Sequence, residues 1–207
     1  MWAVVTGIPG SGKNLVVDML RKGQGFTRLE DPPLSHTRKP ESSDRFEKEL
    51  SYVMSRFRTQ MTAQELIDRK DIVTVHSLWD SVFVFAKAAF VGQTLSERDF
   101  KTINSVYADL ESLLKPPTVA IHVRTGMIDA VNRTALREKE ALPSEELECL
   151  NRLYEEEFLP RVRVPLIEID TKEQSIEDIR KSLEFSLDSI KSSGVGSASI
   201  WTSSFFR

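Results

Sequence analysis

The stretch WAVVTGIPGSGKNLVVDML, residues 2–20, constrains the fold more than any other part of the chain. A short apolar run rich in β-branched residues leads into a glycine-rich turn and a lysine. Apolar positions at Leu15, Val16, Met19 and Leu20 then follow at helical spacing. Residues 2–6 read as a buried parallel strand, and residues 13–21 as a helix that Gly23 and Gly25 end. Between them, Gly7, Pro9, Gly10, Ser11, Gly12 and Lys13 fit the spacing G-x4-G-K. Glycines there let the backbone curl so that successive N–H groups point inward, and the helix N-terminus adds positive potential. Lys13 is then expected to reach the terminal phosphates of a bound nucleotide. The plainer alternative is a glycine-rich turn in an unrelated α/β protein. Asn14 follows where a Ser or Thr hydroxyl normally binds Mg2+. Its amide oxygen is a metal ligand of different reach, so the expectation is weakened metal organisation with phosphate binding kept.

Further short apolar runs at 26–29, 71–76, 118–123 and 164–169 read as strands. Helical periodicity covers 46–69, 82–91, 97–114, 127–139, 144–158 and 176–190. Strands alternate with helices throughout, which argues for an α/β domain with a parallel sheet. The prolines of EDPP stop the second strand, and residues 34–45 are polar enough for a surface loop. Residues 1–190 are expected to form one domain. Residues 191–207 form a Ser/Gly-rich tail that ends in Ile200, Trp201, Phe205 and Phe206. Those apolar residues either dock on the body or on a second subunit, or they make an end with no role.

The balance of 28 Lys and Arg against 31 Asp and Glu, a net charge of -3, argues against a protein that coats nucleic acid. Cys149 is the one cysteine of the sequence, so no internal disulfide can form and a reducing compartment is the simple reading. No apolar run approaches the ~18 residues of a membrane helix. The chain passes directly into a strand without a basic leader. The expectation is a soluble cytoplasmic protein without a membrane partner.

With these residues in place, the chain resembles the deoxynucleoside kinase family, within the thymidylate-kinase-like P-loop group. The resemblance spans roughly residues 2–170 and rests on GIPGSGK, on Glu30-Asp31-Pro32, on SLWDSVFVFAK (77–87), on HVRTG (122–126) and on NRTALREKEALPSEELECLNRLYEEEFL (132–159). It implies a P-loop NTPase-type three-layer fold with a five-stranded parallel sheet and an arginine-bearing helical lid. It also implies ATP and Mg2+ as cofactors, and phosphoryl transfer to a nucleoside 5′-hydroxyl. The Asp-Pro element resembles the family's carboxylate–proline pair, whose carboxylate takes the hydroxyl proton. Phe85 falls where a family aromatic stacks on the base, and Glu138 where a family residue lies near the sugar 3′-hydroxyl. Family members often dimerise through helices between the second and fourth strands. Here the Phe83–Phe90 and Val106–Leu110 faces either make a homodimer or pack on the sheet.

The departures are as informative. The family's third strand ends Glu-Arg-Ser, where the Glu helps hold magnesium and the Arg steadies the acceptor; here the residues are Val75-His76-Ser77. The base-reading Gln of the long helix aligns with Leu50. An expected Asp-Arg pair is Ser81-Val82, with Asp80 one residue away.

The candidate residues follow. Asp31 directly precedes the proline and is the first choice of general base; Glu30 is the second, and either also fits a turn acid. Arg133 and Arg137 lie at i and i+4 on one helix face, placed to close over phosphates or to form an exposed basic face. Arg124 is expected to support the lid or to donate to an acceptor phosphate. His76 reads as a donor to the acceptor or as a structural strand-end histidine. Asp80 and Asn14 are the candidate metal ligands. Leu50, Phe57 and Phe85 line an apolar pocket or belong to the helical core. Two functions fit. One is an ATP-dependent kinase acting on a nucleoside, a nucleotide or a hydroxymethylated pyrimidine, the last conceivably within DNA although the acidic charge speaks against it. The other is a catalytically impaired kinase-like protein kept for nucleotide binding or assembly, on account of Asn14, Val75 and His76.

Overall fold

The computed structural model describes residues 1–32, 44–137 and 142–193. Strands β1 (Trp2–Thr6), β2 (Thr27–Leu29), β3 (Ile72–Val75), β4 (Val119–Arg124) and β5 (Leu166–Asp170) form one sheet in the order β2-β3-β1-β4-β5, parallel at every pairing. β1 is central, with Val4 in register with Thr74 on one side and Ala120 on the other. Strands buried on both faces need apolar side chains in both directions, which is why they read as unbroken runs.

Alternate residues divide between two helical layers. Ala3 and Val5 pack with Val16, Val17 and Leu20 of α1 (Lys13–Gln24) and with Ile179, Leu183 and Leu187 of α7 (Ile176–Ser192). The opposite layer holds α2 (Arg45–Leu66), a wide-turned π segment Asp80–Ala86 that continues into α3 (Lys87–Val91), α4 (Glu97–Glu111), α5 (Met127–Arg137) and α6 (Ser144–Leu153). Its core is built from Val53, Leu78, Val82, Ile103, Tyr107, Leu147 and Leu150. On this side of the sheet Trp2 donates from its indole to Thr74 Oγ1 at 3.1 Å, which satisfies both buried polar atoms.

Several boundaries differ from the sequence expectation. α1 runs on through Gly23 to Gln24, and Gly25 ends it in the left-handed region at φ 72°. The helix expected at 82–91 begins earlier, at Leu78 ahead of the π segment, because Ser77 Oγ accepts from Asp80 N at 3.2 Å while the Asp80 carboxylate accepts from Ser77 N at 2.5 Å, a reciprocal cap. The helix expected at 144–158 keeps its α form only to Leu153 and widens into a π segment, Tyr154–Phe158. β5 begins two residues later than expected, because Pro165 has no N–H to give the sheet and contributes only its carbonyl, to Ala120 N at 2.9 Å.

Phe83 packs edge-on to Tyr107 at 5.3 Å, and Phe90 stacks on Phe100 at 4.8 Å, so aromatic side chains from both candidate dimer faces meet one another within the chain. Glu138, most of the 34–45 loop and the aromatic tail lie outside the described residues. Among the described residues no helix is long and apolar enough to cross a membrane.

Candidate functional site

The glycine-rich loop leaves the C-terminal end of the central strand. Gly7, Gly10 and Gly12 take φ of 137°, 78° and 101°, a region that side-chain-bearing residues rarely enter. Two of them are also fixed by close approach: a Cβ on Gly7 would lie 2.3 Å from the Val123 carbonyl oxygen, and one on Gly10 would lie 2.4 Å from that of Ala130. The loop therefore curls tightly against β4 and α5 and opens on the N-terminus of α1, whose first turn carries no acidic residue. Pro9 and Asn14 are half-buried in this turn, and Ser11 is fully buried. Lys13 Nζ donates to the Gly7 and Ile8 carbonyls at 2.8 and 2.7 Å, so its ammonium already sits over the mouth of the loop. The donor set and the glycine curvature fit the phosphates of a nucleotide such as ATP.

Arg133 of α5 reaches back across the same loop. One guanidinium nitrogen lies 3.3 Å from the Gly10 carbonyl, 3.2 Å from Thr171 Oγ1 and 3.4 Å from Thr125 Oγ1. Thr171, just past β5, contacts the Ser11 and Arg124 carbonyls at 3.0 and 3.1 Å and so fastens the loop to the two strands beside it. Arg137 ends α5 one turn further on. Arg124 has a different surrounding. Its guanidinium is held by Glu155 at 2.6 Å and Glu168 at 3.2 Å.

Beside the phosphate loop, the ends of β2 and β3 face the inward side of α2. The two acids after β2 point in different directions. Glu30 pairs with Arg28 at 2.7 Å and is 70% exposed, whereas Asp31 is 27% exposed and pairs directly with the buried guanidinium of Arg56. Thr59, one turn along α2, donates to Asp31 Oδ1 at 2.8 Å. The sequence reading missed Arg56 and Thr59, because nothing in SRFRTQ separates an inward arginine from an outward one without knowledge of the helix rotation. Burial lowers the pKa of Arg56, against the opposing charges of Asp80 and Tyr154.

His76 stands between this pair and the phosphate loop, since β3 lies between β2 and β1. It adopts φ 63°, an uncommon left-handed conformation for a non-glycine residue. Its Nδ1 lies 3.4 Å from the Tyr154 hydroxyl and 3.7 Å from Asp80 Oδ2, and its ring meets Phe85 edge-on at 5.1 Å. Burial, and next the charge of Lys13, lower its pKa to about 4, so the imidazole is neutral near pH 7. Tyr154, a residue the sequence reading passed over, has its hydroxyl pKa raised well above the usual value by burial and then by Asp80.

Asp80 is fully buried; its Oδ2 is committed to the Ser77 turn, and its Oδ1 has no hydrogen-bond partner among the described residues. Among the described residues no group of three His, Cys, Asp or Glu could hold a metal ion. Asn14 remains as a side chain beside the phosphate loop with an oxygen to offer. α2 turns Glu49, at 2% exposure, onto the buried face, and Leu50 is half-buried beside it. Phe57 and Phe85 both pack against the apolar cluster around Ile8, Val53 and Leu147.

The sequence profile described as deoxynucleoside kinase matches residues 3–192. Solved structures of a deoxyadenosine kinase from M. mycoides share the fold. The form with dCMP and a flexible dCDP bound superposes with a TM-score of 0.76 at 18% identity, over 91% of this chain and 100% of that one. The form with bound dATP gives 0.67 at 20% identity over the same shares of the two chains. The form with bound dCTP gives 0.69 at 18% identity, again over 91% and 100%. Among curated proteins no sequence match reaches significance.

Proposed function

The chain belongs to the deoxynucleoside kinase family, and from that premise we propose that it transfers the γ-phosphoryl group of ATP to the 5′-hydroxyl of a nucleoside. The observation that carries this reading is the inward-facing Asp31, held by Arg56 and Thr59 beyond the end of β2. β2 lies two strands from β1, a separation of about 10 Å at the sheet spacing. That leaves room for an acceptor hydroxyl between Asp31 and a γ-phosphate cradled after β1, above His76.

In this arrangement Asp31 accepts the 5′-hydroxyl proton as the O5′–P bond forms and the bond between the γ-phosphorus and the β–γ bridging oxygen breaks, so ADP leaves with the electron pair. Lys13 shifts from its loop carbonyls to the phosphate oxygens. Arg133, already over Gly10, adds positive charge where the transferring group becomes most negative. Magnesium bound with the nucleotide would neutralise phosphate charge, and Asn14, beside the phosphate loop, would be the side chain offering it an oxygen. Neutral His76 and the half-buried Phe85 border the acceptor. Arg56 supplies the cation that family members carry on the third strand, where this chain has His76.

The impaired-kinase reading is favoured by one observation. Val75 stands where the family's third strand carries its metal-holding acid, and Asp80 is fully buried with Oδ2 committed to the Ser77 turn. ATP turnover with Mg2+ over a panel of nucleosides, nucleotides and hydroxymethylated pyrimidines, free and in DNA, separates the two. Product on a nucleoside that disappears with Lys13→Ala supports the kinase. ATP binding with no product on any acceptor supports the binding protein.

A further inference from the structure

Tyr154 opens the π segment Tyr154–Phe158, which packs against the other π segment, Asp80–Ala86. Wide turns of this kind occur frequently at functional sites. Tyr154 is fully buried, and its ring is braced by His122 at 5.1 Å and by Phe158 at 5.4 Å, which fixes where the hydroxyl points. His122 Nδ1 lies 3.0 Å from Thr6 Oγ1, so that histidine is engaged elsewhere. The Tyr154 hydroxyl lies 3.4 Å from His76 Nδ1 and is faced by the Gly7 backbone N–H. One side chain thus touches both the root of the phosphate loop and the end of β3.

A neutral imidazole carries one proton on two nitrogens, and the partner of one nitrogen decides what the other offers. Two groups compete at His76 Nδ1. Asp80 Oδ2 would draw the proton onto Nδ1, but at 3.7 Å it is beyond hydrogen-bond distance, and it already accepts from Ser77 N and Ser77 Oγ. The Tyr154 hydroxyl is nearer. A phenol is a stronger acid than a neutral imidazole N–H, and an imidazole nitrogen is a stronger base than a phenol oxygen, so the hydroxyl donates and Nδ1 accepts. The ring proton then sits on Nε2. The backbone holds His76 where this matters: its N–H donates to the Val5 carbonyl at 2.9 Å, at the foot of the phosphate loop, and its φ is 63°. Burial, then the charge of Lys13, disfavours a second proton on the ring.

We propose that Tyr154 is a positioning residue that fixes His76 in the tautomer with its proton on Nε2, so that a neutral histidine donates to the phosphoryl group in transfer. The inference rests on the kinase reading for what lies above His76. There the phosphoryl group passes between the loop and Asp31, and Nε2–H meets one of its non-bridging oxygens. No proton leaves the imidazole, since the hydroxyl proton goes to Asp31. The hydrogen bond gains strength as negative charge gathers on those oxygens. With the proton on Nδ1 instead, a bare Nε2 would turn its lone pair toward the same anionic oxygens and oppose transfer.

The test combines nitrogen-15 NMR of the histidine rings with kinetics on the parent and on Tyr154→Phe, which keeps the buried ring and removes only the hydroxyl. The sequence holds 3 histidines, and His76 is assigned by the signal lost in His76→Asn. At pH 7 the free parent is expected to show His76 protonated on Nε2. In Tyr154→Phe, with thermal unfolding checking the fold, the proton should move toward Nδ1 and Asp80. Its kcat should fall about tenfold or more with KM for ATP little changed. A parent with the proton on Nδ1 overturns the proposal, and that measurement needs no variant. So does a folded Tyr154→Phe in which His76 keeps its tautomer, or one with kcat unchanged. No turnover by the parent on any nucleoside would sink the kinase reading, and the donation to the phosphoryl group with it; turnover with the proton on Nδ1 would sink this inference alone.

Discussion

The guanidinium of Arg56, on α2, pairs directly with the carboxylate of Asp31, beyond the end of β2, and the two are brought together across 24 residues of sequence that include a segment outside the described residues. A partly buried carboxylate fixed by a cation and by the Thr59 hydroxyl has a defined orientation, which a proton acceptor needs at the moment of transfer. Arg56→Met keeps the stem but removes the charge. The expected result is a fall in kcat of about tenfold to a hundredfold with a smaller change in KM for ATP, and partial recovery in Arg56→Lys. The unfolding free energy should fall by about 1–3 kcal/mol, because a charged hydrogen-bond partner is lost. Steady-state kinetics on the three proteins check this, and an unchanged kcat in Arg56→Met removes the positioning role.

Glu30 and Asp31 are adjacent, yet only Asp31 faces the body. Asp31→Asn should lower kcat by about 10²–10⁴-fold while ATP binding persists. Glu30→Gln, which breaks only the exposed pair with Arg28, should leave kcat within about twofold of the parent. Loss of activity in Glu30→Gln with retention in Asp31→Asn would exchange the two assignments.

The two arginines at the rim of the phosphate loop should separate in the same way. Arg133→Ala is expected to cost about 10³-fold in turnover, the scale of an arginine that stabilises transferring phosphoryl charge. Arg124→Ala breaks partly exposed pairs with Glu155 and Glu168, and should lower stability by about 1 kcal/mol or less with turnover retained. Parallel measurement of kcat and urea midpoint on both variants distinguishes a phosphate contact from a structural tie. Equal losses of turnover would return Arg124 to the site.

The phosphate loop could be read from the sequence because its chemistry is local: the glycines, the lysine and the flanking periodicities all fall within residues 2–20. The strand order was not legible, since alternating strands and helices fix a parallel sheet without saying that β3 lies between β2 and β1. The choice between Glu30 and Asp31 depends on Arg56, which lies in another element. Hydrophobic periodicity also misled along α2. Its buried residues include Glu49, Ser55, Thr59 and Gln60, whereas Leu50, Met54 and Phe57 are only half-buried. A helix that turns polar side chains inward toward a site has no apolar stripe to mark that face, so nothing in the periodicity shows that Glu49 is buried beside a half-buried Leu50.

Two buried histidines give the molecule a pH dependence whose sign can be worked out. Burial, then the charge of Lys13, lowers His76 to about 4; burial, then Arg124, lowers His122 to about 4. The unfolded chain titrates these groups near 6.5. Between about 4 and 6.5 the unfolded state therefore holds protons that the folded state refuses, and stability rises with pH across that window. The contribution is on the order of 3 kcal/mol per histidine at most, present above the window and lost as pH falls through it. Glu49, raised by burial, acts with the opposite sign, so the informative quantity is the difference between variants. His76→Asn removes one of the two titrations, and Asn tolerates the left-handed backbone at this position better than other side chains. Urea unfolding at pH 5 and pH 7 should show a smaller pH-dependent change in His76→Asn than in the parent. An identical change in both proteins would mean that His76 titrates alike in the folded and the unfolded chain, against the lowering that burial imposes.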